Sequence, residues 1–362
     1  MDCWVTDMGA NLTTQSVDSP AGLLAKFWFY TTHRARTIVG MTTLVVTRSE
    51  DNSISHTFQE EPLLAEGDVL VNVSHSSLNY KDAMALDGNK GVMRINPLVP
   101  GIDVVGTVAE SSDPRLPVGA LVAAFGDGLG EFRHGGYTTQ QRVNAQATLP
   151  VPERFTAADA AAIGTAGYTA AICVNQLLTH GTREGHVLVT GATGGVGSIA
   201  VQLLKSLGFE VTAVTGRVDS ESEYLQALGA DHIIDRSALS ETGRPLQKAL
   251  YDGAVDTAGS TVLANVLAQI KWGGVVAATG MAAGPDLPAS VLPFILRGIV
   301  LAGGNSVDAP LKVREDAWKL LDEHLDLEML HSISNIIALD DVADAAKELL
   351  AGTHHGRTIV EI

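Results

Sequence analysis

A glycine-rich turn between an apolar run and an amphipathic stretch constrains the fold of this chain more than any other feature. Residues 186–191 read HVLVTG, and residues 191–197 continue as GATGGVG. The continuous apolar run is typical of a parallel strand whose sheet is covered on both faces. Beyond the turn, apolar residues recur at helical spacing from Val196 to Leu207, and Gly208 is a suitable stop. The sequence therefore predicts a strand, a tight turn and an amphipathic helix in succession.

The glycine-rich turn also predicts a nucleotide site. Glycine lets the backbone approach a pyrophosphate, and the N-terminus of the following helix supplies amide donors and positive potential. The spacing is GxxGxxG and not the stricter GxGxxG, so a tight turn without a ligand remains the alternative. The strand–turn–helix context favours nucleotide binding.

The rest of the chain predicts two kinds of architecture. After residue 163, strand-like segments alternate with helix-prone ones, at 210–215, 232–235, 254–256, 274–278 and 299–302. That alternation predicts an α/β fold with a Rossmann-type, doubly wound parallel sheet. Before it, short strand-like segments separated by turns predict a β-rich unit, with strands at 43–46, 68–73, 104–109 and 121–124 and a hairpin at 49–61.

These patterns divide the chain into four parts. Residues 41–162 are the first part of the β-rich unit, 163–308 are the nucleotide-binding unit, and 309–362 return to the first unit. Residues 1–40 form an N-terminal extension that we expect to be poorly ordered. Acidic residues precede its apolar stretch, so an ill-defined extension or a start codon assigned too early fits better than a targeting signal.

The end of the second predicted strand indicates which nucleotide is bound. An NAD site expects an acidic residue there, whereas this chain has Thr215, Gly216 and Arg217. A hydroxyl and a guanidinium suit a 2′-phosphate, which favours NADPH, although Asp219 and Glu221 follow closely. Arg236, after the third strand, either reaches the same phosphate or is an ordinary surface arginine.

Charge and cysteine content exclude several functions. The formal charge of −17 argues against nucleic acid and anionic membranes as partners, and no apolar run is expected to reach transmembrane length. The two cysteines, Cys3 and Cys173, argue against a disulfide framework and favour the reducing cytoplasm. A zinc site is also disfavoured, because the histidines lie without ligand spacing, as at His75, His134, His180, His186 and the pair His354-His355.

A polar cluster in the β-rich unit is the candidate catalytic site. Asn79, Tyr80 and Asp82 follow a predicted strand and offer an amide, a phenol and a carboxylate within one turn. Tyr80 can donate a hydrogen bond or a proton where charge develops on a substrate. By pattern alone, an ordinary polar loop remains the alternative.

Several motifs resemble one family. The chain from about residue 41 to 362 is similar to the zinc-free, quinone-oxidoreductase-like branch of the medium-chain dehydrogenases/reductases, and most of all to its acrylyl-CoA reductase group. The motifs are SLNYKD (77–82), PGIDxxGTV (100–108), IGTAGYTA (163–170), TGATGGVG (190–197), TGR (215–217), LANVLAQ (263–269) and PFILRG (293–298). The resemblance implies a GroES-like catalytic domain, a Rossmann domain, a homodimer and NADPH-dependent reduction of acrylyl-CoA to propionyl-CoA.

The resemblance also implies roles for individual residues. Tyr80 lies beside the cofactor, and two groups hold its phosphates. The pyrophosphate is cradled by Thr193, Gly194, Gly195 and Val196, and the adenosine phosphate is held by Thr215, Gly216, Arg217 and Arg236. The nicotinamide end is lined by Leu287, Ile295 and Ser306. The chain departs from the group at 130–136, where GEFRHGG replaces GExHWGG, in a loop that we expect to border the substrate mouth.

Two other functions remain open. An NADPH:quinone oxidoreductase would use the same cofactor site, because the acceptor is selected by a pocket that no motif here describes. A non-catalytic NADPH-binding protein would not require a polar cluster such as Asn79-Tyr80-Lys81-Asp82 next to the nicotinamide, so this cluster favours an enzyme.

Overall fold

The structure is a computed structural model that describes residues 42–362. The predicted extension at 1–40 lies outside the described residues. The described part contains fifteen strands: β1 (Thr43–Arg48), β2 (Ile54–Gln59), β3 (Val69–Leu78), β4 (Asp103–Ser111), β5 (Leu121–Phe125), β6 (Gln140–Val143), β7 (Thr148–Pro150), β8 (His186–Thr190), β9 (Glu210–Thr215), β10 (His232–Asp235), β11 (Tyr251–Asp256), β12 (Ile270–Ala278), β13 (Val300–Gly303), β14 (Ser334–Ala338) and β15 (Arg357–Glu361). Its helices are α1 (Tyr80–Leu86), α2 (Ala157–Thr179), α3 (Gly195–Ser206), α4 (Val218–Ala227), α5 (Ser260–Gln269), α6 (Leu292–Arg297), α7 (Leu311–His324), α8 (Leu327–Ser332) and α9 (Val342–Leu350).

The predicted doubly wound parallel sheet is confirmed. Six strands pair in the order β10-β9-β8-β11-β12-β13, and every pairing is parallel. From β8 the chain first adds strands on one side (β9, β10) and then on the other (β11, β12, β13), so the strand order reverses between β8 and β11. The carboxyl ends of the strands beside such a reversal form the crevice in which α/β proteins bind ligands. The glycine-rich turn lies at the carboxyl end of β8, at the edge of this crevice.

The β-rich unit is built on a second sheet, which includes two strands from late in the chain. Its strand order is β14-β15-β3-β4-β5-β7, with β6 also paired to β3, and β1 and β2 form a separate hairpin. Strand β15 pairs antiparallel to β3, so residues near 357 lie beside residues near 78. The exact domain boundaries at 162 and 308 stay a prediction.

Helix α2 joins the two sheets and lies in the largest hydrophobic core. It packs on α3 and α7 and also contacts strands of both sheets. The helix is kinked at Gly164, whose backbone has φ 47° and ψ −165°. Cys173, on this helix, is a free and buried thiol, as the apolar run around it predicts.

The expectation that no apolar run reaches transmembrane length is wrong for α2. Its 23 residues are long and apolar enough to cross a membrane by composition alone. However, 83% of its most apolar window is buried inside the protein. A helix that is apolar on all sides and enclosed by two sheets is a core helix.

Candidate active site

The glycine-rich turn is shaped so that backbone, and not side chains, faces the crevice. Gly191 has φ +59°, and a Cβ there would lie 2.2 Å from Thr257 Oγ1. A Cβ on Gly197 would lie 2.3 Å from the carbonyl oxygen of Gly191. Helix α3 begins at Gly195, after the exposed Gly194, so the free N–H groups of its first turn lie at the crevice. This arrangement fits the pyrophosphate of a dinucleotide.

The residues predicted to hold the adenosine phosphate meet at the ends of β9 and β10. Nη2 of Arg217 donates to Oγ1 of Thr193, at 3.1 Å. The guanidinium of Arg236 lies so close to Gly216 that a Cβ there would be 3.1 Å from its Nη2. The guanidinium of Arg217 therefore lies at the glycine-rich turn and that of Arg236 beside Gly216, and both would attract the negative charge of a 2′-phosphate.

A loop from the C-terminal segment also reaches this group, and no sequence motif indicated that it would. The carbonyl oxygen of His354 accepts from Arg217 Nη2 at 3.0 Å. The ring of His355 stacks on Tyr224, with centroids 4.8 Å apart, and its Nδ1 lies 3.1 Å from Oε2 of Glu221. Burial lowers the pKa of His354. The pair His354-His355, which has no ligand spacing in the sequence, is thus part of the wall of this crevice.

The carboxylate of Glu221 would repel a phosphate bound here. Its carboxylate is buried, and Oε1 lies 3.6 Å from Nη1 of Arg217. Glu221 contacts Nη1, so Nη2 of Arg217 still donates to Thr193 and to His354. These contacts together orient the guanidinium over the turn. Glu221 therefore restrains the arginine and does not replace it.

The polar cluster of the β-rich unit is a buried hydrogen-bond network, and not an ordinary surface loop. Asn79 caps helix α1, and its backbone N–H donates to Oδ2 of Asp82 at 2.8 Å. Nδ2 of Asn79 donates to Oδ2 of Asp103 at 2.8 Å, and Ser77 also donates to Asp103. Oδ1 of Asp82 accepts from the backbone N–H of Ile102 at 2.7 Å.

Asp103 and Arg357 belong to this network, and neither was among the predicted catalytic residues. Arg357 is 3% exposed; its Nη1 donates to Oδ1 of Asn79 at 3.1 Å and its Nε to the carbonyl oxygen of Ala162 at 2.6 Å. A Cβ on Gly195 would lie 3.0 Å from Nη1 of the same arginine. Arg357 therefore joins the glycine-rich turn to the cluster below Tyr80. Asp103 lies in the PGIDxxGTV motif, whereas no motif pointed to Arg357, because both residues reach the cluster through sheet pairing.

Burial changes the acidity of the network. It raises the pKa of Asp82 to about 7, with the charge of Asp103 as the second cause, while the backbone N–H groups that bind the carboxylate oppose the shift. Burial also lowers the pKa of Arg357, against the attraction of Asp103 and Asp82. Within residues 42–362, Nη2 of Arg357 is buried without a hydrogen-bond partner.

Tyr80 lies above this network with its side chain free. It is the first residue of α1, directly after the cap Asn79, and it is 60% exposed. The next residue, Lys81, forms an ion pair with Glu131 in which Nζ and Oε1 are 2.7 Å apart. The ion pair attaches the divergent loop at 130–136 to the helix that carries Tyr80. The predicted place of this loop at the substrate mouth stays a prediction.

The three residues predicted to line the nicotinamide end differ in their exposure to solvent. Ser306 is buried, and its Oγ accepts from Oγ1 of Thr169 at 2.8 Å. Leu287 is 43% exposed and Ile295, on α6, is 72% exposed. Neither packs into a hydrophobic core of the described residues. Their role at the nicotinamide stays a prediction.

A catalytic zinc does not fit the residues around Tyr80. The nearest carboxylates, Asp82 and Asp103, use their oxygens to bind N–H and hydroxyl groups, and the cation of Arg357 lies among them. Zinc sites in enzymes take three protein ligands, mostly histidine and cysteine, around an open position. Within the described residues, the group of potential ligands that lie close together is elsewhere, at His186, Glu210 and His232.

Family models match parts of both units of the chain. A family model described as "Alcohol dehydrogenase GroES-like domain" matches residues 65–153, and one described as "Zinc-binding dehydrogenase" matches residues 195–323. The chain is 45% identical over 305 residues to the "Probable acrylyl-CoA reductase AcuI" of Escherichia coli, covering 84% of this chain and 94% of the relative.

Two further proteins are similar over most of their length. The structure of the yhdH oxidoreductase from Salmonella enterica in complex with NADP superposes with a TM-score of 0.86, at 42% identity, over 89% of this chain and 99% of that one. The "Putative quinone oxidoreductase YhfP" of Bacillus subtilis is 39% identical, over 84% of this chain and 93% of the relative. The structure of yhfP was solved with NAD bound and superposes with a TM-score of 0.84, over 89% of this chain and 99% of that one.

The buried carboxyl group of Asp82 gives a test by pH. Because its pKa is about 7 in the folded protein and near the ordinary value of 3.8 when unfolded, the folded state binds more protons between these values. The free energy of unfolding contributed by Asp82 is therefore highest below about pH 4 and falls as pH rises to about 7, by up to ~1.4 kcal/mol per pH unit. We expect Asp82→Asn to remove this slope in urea unfolding across that range. Asp340→Asn, at an exposed carboxylate, is the control, and an unchanged slope in Asp82→Asn would contradict the assignment.

Proposed function

Because this chain belongs to the medium-chain dehydrogenase/reductase family, in the branch that contains acrylyl-CoA reductases and quinone oxidoreductases, we propose that it uses NADPH to reduce an activated carbon–carbon double bond. The substrate that we propose is acrylyl-CoA, and the product is propionyl-CoA. The identity of 45% to an acrylyl-CoA reductase, over 94% of that relative, supports this choice. The bound NADP of the 42% identical neighbour supports the cofactor.

One observation carries the proposal: a single buried arginine joins the nucleotide turn to the candidate catalytic residues. Arg357 donates to Asn79, and its Nη1 lies close to Gly195, so the start of α1 and the glycine-rich turn meet at this one side chain. A dinucleotide on the turn would bring its reactive end to the β-rich unit, where Tyr80 is exposed.

The residues of the chain supply binding and charge stabilisation. When bound, NADPH supplies the hydride that adds to the β-carbon of the enoyl thioester. Negative charge then develops on the thioester oxygen, and the hydroxyl of Tyr80 can donate a hydrogen bond to it or a proton to the α-carbon. The buried network of Asn79 and Asp82 holds the start of α1, and with it Tyr80, in position. Because the thioester activates its own double bond, this reaction does not require a zinc ion as Lewis acid.

Quinone reduction is the second candidate. It is favoured by the 39% identity to the quinone oxidoreductase-like relative and by the departure from the acrylyl-CoA reductase pattern at 130–136. Phe132, in that loop, is 47% exposed and offers an aromatic surface next to α1. The two candidates share the cofactor site and differ only in the acceptor.

We also propose that the enzyme is a cytoplasmic homodimer. Strand β13 is an edge of the parallel sheet, and helix α6 beside it exposes Leu292, Ile295 and Leu296. Exposed apolar residues next to an unpaired strand edge fit a second copy of the chain better than solvent. The free, buried thiol of Cys173 agrees with a reducing compartment.

The proposed function is tested by comparing acceptors under the same conditions. NADPH oxidation is measured with acrylyl-CoA, crotonyl-CoA and a benzoquinone as acceptors. We expect the highest kcat/KM with acrylyl-CoA and stoichiometric formation of propionyl-CoA. A higher kcat/KM with the quinone would assign the chain to the second candidate, and no turnover with any acceptor would contradict both.

The arginine after β9 is expected to select the cofactor. Arg217→Asp removes a charge-assisted contact to the 2′-phosphate, which contributes roughly 1.5–3 kcal/mol, and adds repulsion. Fluorescence titration should show weaker binding of NADPH and little change for NADH. Arg183→Asp, at an exposed arginine before β8, is the control. Equal affinity of the unmodified protein for both cofactors would overturn the assignment, and the NAD-bound relative makes this comparison necessary.

The phenol of Tyr80 is expected to act on the substrate. Tyr80→Phe should lower kcat by on the order of a hundred- to a thousandfold, about 2.7–4 kcal/mol, while NADPH affinity changes little. Stopped-flow kinetics with acrylyl-CoA and NADPH titration of the same variant separate the two effects. Tyr251→Phe, at the amino end of the interior strand β11 of the parallel sheet, should be neutral. A kcat within about twofold of the unmodified enzyme would leave Tyr80 as a packing residue.

A further inference from the structure

Three potential metal ligands converge at the amino ends of neighbouring strands. His186 is the first residue of β8, Glu210 the first of β9 and His232 the first of β10. Their strands lie side by side in the parallel sheet, with β9 in the middle. One ligand atom from each residue lies within 4.8 Å of the other two.

The register of the sheet places all three side chains on one face. His186 is opposite Glu210, and His232 is opposite Thr212, which lies on the same face as Glu210 because side chains alternate along a strand. The outer strands are roughly 10 Å apart, since neighbouring strands are separated by about 4.8 Å. The two imidazole rings nevertheless lean towards each other, with centroids 5.4 Å apart. The ring nitrogens therefore converge over Glu210.

Other contacts restrain the cluster. The ring of His186 packs edge-on against Tyr251, with centroids 4.9 Å apart, and its Nε2 is 2.6 Å from Oγ1 of Thr212. Nε2 of His232 is 2.6 Å from Oε1 of Glu210. His186 is half-buried, whereas Glu210 and His232 are exposed, so the cluster is open to solvent on one side. A water molecule can therefore reach a bound ion.

We propose that His186, Glu210 and His232 form a zinc-binding site at the amino edge of the parallel sheet, separate from the active site. Two imidazole nitrogens and one carboxylate oxygen are ligands that Zn²⁺ accepts, with water as the fourth, whereas Mg²⁺ and Ca²⁺ require oxygen ligands. Ligand atoms about 2.0–2.2 Å from a tetrahedral ion lie roughly 3.4 Å apart. Small rotations of the exposed Glu210 and His232 side chains would bring the ligand atoms from within 4.8 Å of one another to this separation.

The site is independent of the proposed catalysis. The glycine-rich turn follows the opposite end of β8, and five residues of strand span roughly 16 Å. A zinc ion here connects the starts of three strands that are far apart in the sequence. Its expected effect is therefore on the stability of the nucleotide-binding sheet, because an ion that binds only the folded state stabilises that state.

The test uses the full-length protein after removal of metals with a chelator. We expect calorimetric titration with Zn²⁺ to show one equivalent bound at micromolar concentration, and titration with Mg²⁺ to show none. Glu210→Gln and His232→Ala change exposed side chains, so both variants should fold. Each should weaken zinc binding at least tenfold. His180→Ala, at an exposed histidine directly after α2, is the matched control and should bind zinc like the unmodified protein.

Two further measurements distinguish this site from the active site. Zinc should raise the midpoint of thermal unfolding by several degrees in the unmodified protein and in His180→Ala, but not in His232→Ala. NADPH-dependent turnover should be the same with zinc, with chelator and in both site variants. The proposal is overturned if zinc does not bind at micromolar concentration, or if Glu210→Gln and His232→Ala bind it unchanged. Loss of turnover on chelation would place a zinc in the active site instead and would contradict the proposed function as well.

Discussion

The buried cation of Arg357 is the interaction on which the two halves of the molecule depend. A guanidinium excluded from water is stable only if carbonyl and carboxylate groups surround it. Here the carbonyl oxygen of Ala162 comes from α2 and the amide oxygen of Asn79 from the cap of α1. The carboxylates of Asp103 and Asp82 supply the compensating charge. Removing one partner leaves a buried charge unpaired. The contributions of these residues to stability are therefore coupled.

The kink of α2 follows from the same requirement. Gly164 has a backbone conformation that side chains rarely adopt, and a Cβ there would be 2.6 Å from Arg357, Asp103 and Ser77 atoms alike. The absence of a side chain lets the network pass through the helix that joins the two sheets. Thr165, the next residue, donates its hydroxyl to Oδ1 of Asp103 at 2.5 Å. Gly164 thus lies both in the core helix α2 and against the buried polar network.

Local patterns were sufficient to predict much of this structure. The apolar run before Gly191 and the periodic residues after it predicted β8 and α3, and the TGR motif predicted the place of Arg217. Residues that reach the site from elsewhere in the chain were missed, because a single sequence does not show which strands pair. Arg357 and His355 arrive through β15, and the kink at Gly164 lies inside a helix-prone stretch. The cluster at His186 was missed for the same reason, since only the register of three strands creates it.

The pairing of β15 with β3 affects how the protein is made. Asn79 and Arg357 are separated by 278 positions, and the whole parallel sheet lies between them in the chain. During synthesis, the nucleotide-binding sheet can therefore form while the edge of β3 that takes β15 is still open. Such an edge can pair with other chains, so the interval before β15 emerges is the period of greatest aggregation risk. The ribosome therefore delivers β15, and with it Arg357, only after all six strands of the parallel sheet have been synthesised.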